Sequence, residues 1–547
     1  MTSADSLQVR GAVFTLAVLA LFAAGASLPP DALTTIRHLT IQHNGRNKPF
    51  DSFARETLAA MTGSPRRGSE DPVDTVLSII AEPERWQEER LLAVPFLPLR
   101  EALGMPAKAA HVSLSELLAT RKLMKMLPSI AEKQRRDEKL SMLENETWDL
   151  YERFVLLNDL LEQRLALVPP PSSTERTWLP ILEPTGYPEE RQLAVRHAWT
   201  ALLESVRRHE PQAIASSAHQ LAVVLRRANP SAYPAEWRLH WEVLYNRAAP
   251  FRAARLLYLF AVVGLALGLT ASRPAVARIG LVALGMAYVL HGVGILSRVV
   301  LGGRPPVSNF YETMLWLPFV AVTLALVFER IYHARYFGLG AATLAAITLS
   351  LADRLPLDSS ISPVVAVLRS NLWLTIHVLT IVASYGALAL ATVLAHLYGW
   401  FYLVRRRDAS TLLTFGTFLY RTLQVGVVLL AAGIMLGAVW ANASWGRYWG
   451  WDPKETWALI TLLWFLATLH GRFAGWITGV GVALATIGGF FLLLMTYYGV
   501  SFYLVGLHSY AGGHATPIPP LLIAYLIAEV AFMAVVGATA ISRKRPA

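Results

Sequence analysis

The sequence predicts an all-α polytopic membrane protein with about ten transmembrane helices, one N-terminal and nine C-terminal, and a mainly helical extracytoplasmic domain between them. Three observations carry this. Of the 547 residues 54% are hydrophobic and the mean hydropathy is +0.41, too apolar for an ordinary soluble chain. After Phe251 the apolar residues gather into nine runs, each near the roughly 20 residues that a helix needs to cross a bilayer. The basic residues between those runs fall in every second connection.

The chain begins with an apolar run from about Gly11 to Leu28, closed by Pro29 and Pro30. Its length suits an uncleaved anchor; Ala24-Gly25-Ala26 has the small residues of a cleavage site, so a signal peptide is the competing reading. Residues 31–250 are charged and broken at Pro65, Pro106, Pro169-Pro170-Pro171 and Pro188. Apolar residues recur there at three- and four-residue spacing over Val112 to Arg135, Glu144 to Leu167, Glu189 to His209 and Pro211 to Arg227, the period of amphipathic helices. No strand alternation stands out. The membrane runs lie near 253–271, 277–299, 313–331, 336–352, 372–404, 421–441, 455–471, 474–497 and 518–541. The organisation is an anchor over 1–30, an outward domain over 31–250 and a multi-spanning domain over 251–547.

Arg273 and Arg278, Arg330 and Arg335, Arg405 to Arg407 with Arg421, Arg472, and Arg543-Lys544-Arg545 all fall on one side, which the positive-inside rule makes cytoplasmic. The 31–250 domain and the loops at 300–312, 353–371, 442–454 and 498–517 then face outward. The formal charge of +11 is accounted for by these loops, and no nucleic-acid partner is expected. The chain has no cysteine, which excludes disulfides, iron–sulfur clusters, thiolate zinc sites, thiol nucleophiles and an internal C-x-x-C-H haem attachment site.

One outward loop reads Trp445-Gly446-Arg447-Tyr448-Trp449-Gly450-Trp451-Asp452-Pro453-Lys454-Glu455-Thr456-Trp457. Asp452 as N-cap, Pro453 at the first helical position and Glu455 two residues later form a capping box. An interfacial belt needs one or two indoles; four with a Tyr, spaced by glycines, suit a flat apolar ligand.

This run resembles the tryptophan-rich "WWD" signature of haem-handling membrane proteins, and Tyr498-Gly499-Val500 to Gly506-Leu507-His508-Ser509-Tyr510 is similar to the CcsA-type branch of System II cytochrome c biogenesis. The resemblance covers roughly 250–541. It implies binding of haem b as substrate, presentation at the outer face of a bacterial-type inner membrane, and thioether attachment to the C-x-x-C-H segment of apocytochrome c. Holocytochrome c synthase activity, alone or with a CcsB/ResB-type membrane subunit, is what it implies for catalysis. A haem carrier or exporter serving a separate ligase, and an assembly scaffold, are the alternatives.

His377, near the outward end of its helix, and His508 lie on the Trp side, and neutral imidazole is a common axial ligand of haem iron. The resemblance assigns both as the outward axial pair, with Trp445, Trp449, Trp451 and Asp452 around the haem, and gives His470, at the cytoplasmic end of the helix that Asp452 caps, to a second site whose other ligand a CcsB-type partner supplies. His291, His333 and His396 are local alternatives. Arg304, Arg447 and Lys454 are candidates for the haem propionates. Ile41 to Arg55 (I-Q-H-N-G-R-N-K-P-F-D-S-F-A-R) resembles a segment of fused CcsB–CcsA-like proteins, which implies an outward domain that is a reduced or divergent counterpart of the partner-derived region and a docking surface for apocytochrome; a helical outward domain with no ligand of its own is the competing reading.

Overall fold

The computed structural model describes residues 28–136, 138–172, 174–270, 273–332, 336–355, 357–363, 371–404, 409–508 and 518–544. The expected N-terminal anchor lies outside them, as do His333, Arg335, Arg405 to Arg407, Ser509 and Tyr510. The chain divides into two compact units, the second beginning at Ala248.

The first unit is mainly helical. Met142–Leu161, Glu189–Arg207 and Pro211–Ala228 follow the apolar spacing read from the sequence. The reading over 112–135 divides in two, Leu114–Thr120 and Lys122–Arg135, because Arg121 takes a left-handed conformation between them. Periodicity missed two short hairpins. Thr40–His43 pairs antiparallel with Arg46–Pro49 across Asn44-Gly45, both at positive φ, and Leu92–Ala93 pairs with His111–Val112. Asn-Gly is the strongest short turn signal, because both residues tolerate the left-handed backbone that a two-residue hairpin demands. Phe50, Phe53, Leu58, Met61 and Trp199 are buried in this unit's core.

The second unit contains nine long helices among the described residues: α1 Pro250–Thr270, α2 Pro274–Gly302, α3 Phe310–Tyr332, α4 Tyr336–Arg354, α5 Asn371–Val404, α6 Ala409–Trp445, α7 Pro453–Phe473, α8 Gly479–Tyr503 and α9 Pro520–Lys544. Each of the nine membrane runs is a helix. Among the described residues eight helices are long and apolar enough to cross a membrane; α7 falls short on apolarity because Lys454, Glu455 and Arg472 sit at its ends, yet its 21 residues extend about 31 Å, near the hydrocarbon thickness. The protein is a multi-pass membrane protein.

Small residues bring the helices together, as packing without a hydrophobic drive requires. A Cβ on Gly268 would lie 2.5 Å from Ala277 of α2, and one on Gly426 of α6 would lie 2.7 Å from Leu388 of α5. Polar pairs join other helices: Thr461 with Thr496 at 2.8 Å between α7 and α8, and His396 with Glu529 at 2.7 Å between α5 and α9. α8 carries a π-turn at Met495–Gly499, a local insertion that breaks the regular register of the helix.

Candidate functional site

At the end of the bundle where α5 and α7 begin and α6 and α8 finish, a cavity of about 390 Å³ opens between them, within the range of small-molecule sites. His377, Trp440, Trp445, Trp449, Lys454 and His508 all line it.

His377 projects from the second turn of α5. Its Nδ1 lies 2.9 Å from the carbonyl oxygen of Gly433 on α6. A carbonyl only accepts, so Nδ1 carries the proton and Nε2 keeps its lone pair. α6 admits the ring because position 437 is glycine: a Cβ there would stand 2.6 Å from the ring of His377. One glycine supplies the acceptor and the next, a turn later, supplies the space.

His508 reaches the cavity from the segment after α8. Its Nδ1 lies 2.9 Å from Asp452 Oδ2, which fixes the same tautomer by the same argument. Asp452 also performs the capping role read from the sequence: Oδ2 accepts from the backbone N–H of Lys454, and Glu455 accepts from that of Asp452. Its Oδ1 accepts from the N–H of Leu507 at 2.7 Å, and a Cβ at Gly506 would come within 2.5 Å of that oxygen. One carboxylate therefore starts α7 and holds the Gly506-Leu507-His508 path. Burial would raise its pKa, but the His508 hydrogen bond and the two backbone donors outweigh that and hold it below the ordinary aspartate range.

Trp440 neighbours both imidazoles. Its ring is stacked against His377 at 6.0 Å and 11°, and lies 5.9 Å from His508, which also meets the face of Trp445 edge-on at 5.5 Å. The indole Nε1 of Trp440 is buried with no hydrogen-bond partner among the described residues, a donor left for a ligand. The sequence reading placed the aromatic surface in the loop and missed Trp440, which lies within the apolar run of α6. Its one available signal was the spacing of five residues to Trp445.

The remaining expected residues are distributed as follows. Trp445 and Trp449 line the cavity; Trp451 does not, being 70% exposed and packed edge-on against Trp449. Lys454 donates through Nζ to Ser501 Oγ at 2.8 Å and to the carbonyl of Tyr497, within the π-turn of α8. Arg447 pairs with Glu455 at 3.5 Å and lies over Gly450. Arg304 is turned inward, sharing buried Glu312 with Arg298. His470 is exposed near the far end of α7, its Nδ1 bonded to the carbonyl of Leu466, and it is no part of this cavity. His396 has both nitrogens engaged, by Thr392 and Glu529.

Fold and site together define a multi-pass membrane protein built around an aromatic cavity with two anchored histidines. Residues 307–508 match the family model of the cytochrome C assembly protein, a span that contains every residue lining the cavity. Cytochrome c biogenesis protein CcsA of Prochlorococcus marinus is 33% identical over 249 residues, 40% of this chain and 78% of that protein; CcsA of Pyropia yezoensis is 35% identical over 259 residues, 39% and 81%. Protein NrfI of Wolinella succinogenes is 31% identical over 505 residues, 86% of this chain; the chain spans about half of NrfI's length, 54%. The chain belongs to the CcsA-type family of cytochrome c biogenesis proteins.

Proposed function

We propose that the cavity holds haem b between His377 and His508, its flat face against the indoles, and presents it for thioether attachment to the C-x-x-C-H segment of an apocytochrome c. The observation that carries the reading is the matched pair of imidazoles. Both have Nδ1 bonded to a fixed acceptor and the same indole beside them, which is how a protein prepares neutral histidine as a ligand. The orphaned Trp440 Nε1 and the half-buried Lys454 side chain supply polar groups suited to the macrocycle's rim and its carboxylates.

What the residues contribute is position: the cavity orients the tetrapyrrole, excludes water and leaves its vinyl edge toward the incoming thiols. The partner supplies both cysteines and the replacement histidine, consistent with a chain that has no cysteine. The cavity end is taken as the outer face and the end bearing Arg472 and Arg543 as cytoplasmic. His470, exposed on that side, is left for a CcsB-type subunit to complete.

Absorption spectra test this. Detergent-purified protein loaded with haem should show a bis-histidine Soret spectrum, abolished in the His377→Ala, His508→Ala double variant and partly restored by imidazole. Unchanged haem content in the double variant refutes the ligand assignment. Covalent haem on a reduced C-x-x-C-H peptide would establish the synthase activity; transfer without covalent attachment would make the protein a carrier.

A further inference from the structure

The first unit carries a histidine pair of its own, His38 and His240, and neither takes part in the cavity. They come from distant parts of that unit's sequence: His38 closes the helix Pro30–Arg37, and His240 lies in the second turn of the helix Glu236–Ala248. Their ring centres are 4.4 Å apart and their planes are inclined at 34°. His38 is half-buried and His240 exposed, so the pair lies at the surface of the unit.

Both rings are held in one tautomer. Nδ1 of His38 lies 2.7 Å from the carbonyl oxygen of Thr34, and Nδ1 of His240 lies 2.9 Å from that of Glu236, each one turn back along the chain. A carbonyl only accepts, so both Nδ1 atoms carry the proton and both Nε2 atoms keep a lone pair. Neither Nε2 has a hydrogen-bond partner among the described residues. Burial lowers the pKa of His38 from the ordinary histidine value, against the Thr34 hydrogen bond and with His240 adding to the effect, so this imidazole is neutral at pH 7.

One carboxylate fixes the two helices relative to each other. Asp51 is fully buried, accepts from Asn246 of the second helix at 3.0 Å, and faces the guanidinium of Arg37, in the first, at 3.7 Å. Glu242, half a turn beyond His240, is held by Arg46 at 2.7 Å on each arm. Asp51 therefore sets the spacing of the imidazoles, the kind of support that orients histidines toward a metal. Two imidazoles bound side by side to one ion, about 2.1 Å from each nitrogen, have ring centres about 4.5 Å apart; on opposite sides of it, as in a bis-histidine haem, they are roughly 6 Å apart. The observed spacing suits the first arrangement and excludes the second.

We infer that His38 and His240 form a surface site for a divalent transition-metal ion that prefers imidazole, Zn(II) or Cu(II), which joins the helices Pro30–Arg37 and Glu236–Ala248. Among the described residues no third His, Asp or Glu completes the set, so water fills the other positions and the ion is exchangeable. The site stands apart from the haem reading.

Full-length protein, haem-free in detergent and without a polyhistidine tag, is titrated with Cu(II) alone. One equivalent should bind, with the nitrogen modulation of two imidazoles in its pulsed electron paramagnetic resonance, and Zn(II) should raise the melting temperature. His38→Gln and His240→Gln should each lose that equivalent and the Zn(II) shift while the metal-free melt stays as in wild type. Because His240 is exposed, its variant keeps the test decisive if the His38 variant fails to fold. The His377→Ala, His508→Ala double variant should bind the ion as wild type does. Binding that survives either Gln substitution overturns the inference, and so does its loss in the double variant, which would move the ion to the cavity. The absence of a saturable equivalent overturns it as well and leaves a plain ring contact.

Discussion

Asp452 and His508 stand 56 residues apart in the chain and 2.9 Å apart in space, joined through the same carboxylate that caps α7. The two roles can be separated. Asparagine caps a helix about as well as aspartate, so Asp452→Asn should leave the melting temperature close to wild type. It replaces a charged partner of His508 with a neutral one, and haem affinity should fall 10–100-fold, the usual cost of losing such a support. Asp452→Ala should lose the affinity and, in addition, about 1 kcal/mol of stability. Haem titration with parallel thermal melts checks this; an Asn variant that binds like wild type would mean the charge is irrelevant.

The depressed pKa of Asp452 sets a pH dependence with a definite sign. A carboxylate held below its unfolded value stabilises the fold above that value, about 3.9, and the contribution is lost as pH falls through the lower folded value. The amides of Lys454 and Leu507, which donate to this side chain, should stay protected from hydrogen exchange from pH 7 down to about pH 4 and lose protection only below it. Protection lost between pH 7 and 5 would contradict the arrangement.

Gly437→Ala tests the seat of His377. The added Cβ would stand 2.6 Å from the imidazole, so the ring must move off its seat and away from the Gly433 carbonyl that fixes its Nδ1. Haem content should fall sharply while expression and helicity persist. Gly285→Ala on α2, with nothing within 4 Å of the new Cβ, is the neutral comparison.

The architecture was legible because bilayer thickness imposes a length on every helix and positive charge marks alternate connections; even α7, the least apolar, was readable from its capping box. His377 and His508 were legible as residue types at one end of the bundle, and both line the cavity. Their partners were not. Gly433, Gly437 and Gly506 act through backbone atoms and through the absence of a side chain, which no periodicity records. The Asn44-Gly45 hairpin was visible as a dipeptide but overlooked among helical patterns, although it sets the register that carries Arg46 to Glu242. Arg304 shows the opposite failure: a cation beside a loop looked free until burial paired it with Glu312.

Trp440 and Trp451 divide the aromatic surface that the sequence treated as one. Trp440 is 3% exposed and touches both imidazoles; Trp451 is 70% exposed and touches Trp449. Trp440→Ala should therefore empty the cavity of haem, at a further cost of roughly 3–5 kcal/mol in stability, the range for truncating a buried aromatic. Trp440→Phe keeps a ring for stacking but deletes the unpartnered Nε1 donor, so its haem affinity should drop by roughly tenfold, about the worth of one hydrogen bond. Trp451→Ala should leave haem content and the Soret maximum unchanged, and any defect it causes should appear only when apocytochrome is added. Equilibrium haem binding of the three variants, followed by peptide attachment assays, distinguishes these outcomes; loss of haem in Trp451→Ala would return that indole to the ligand-binding surface.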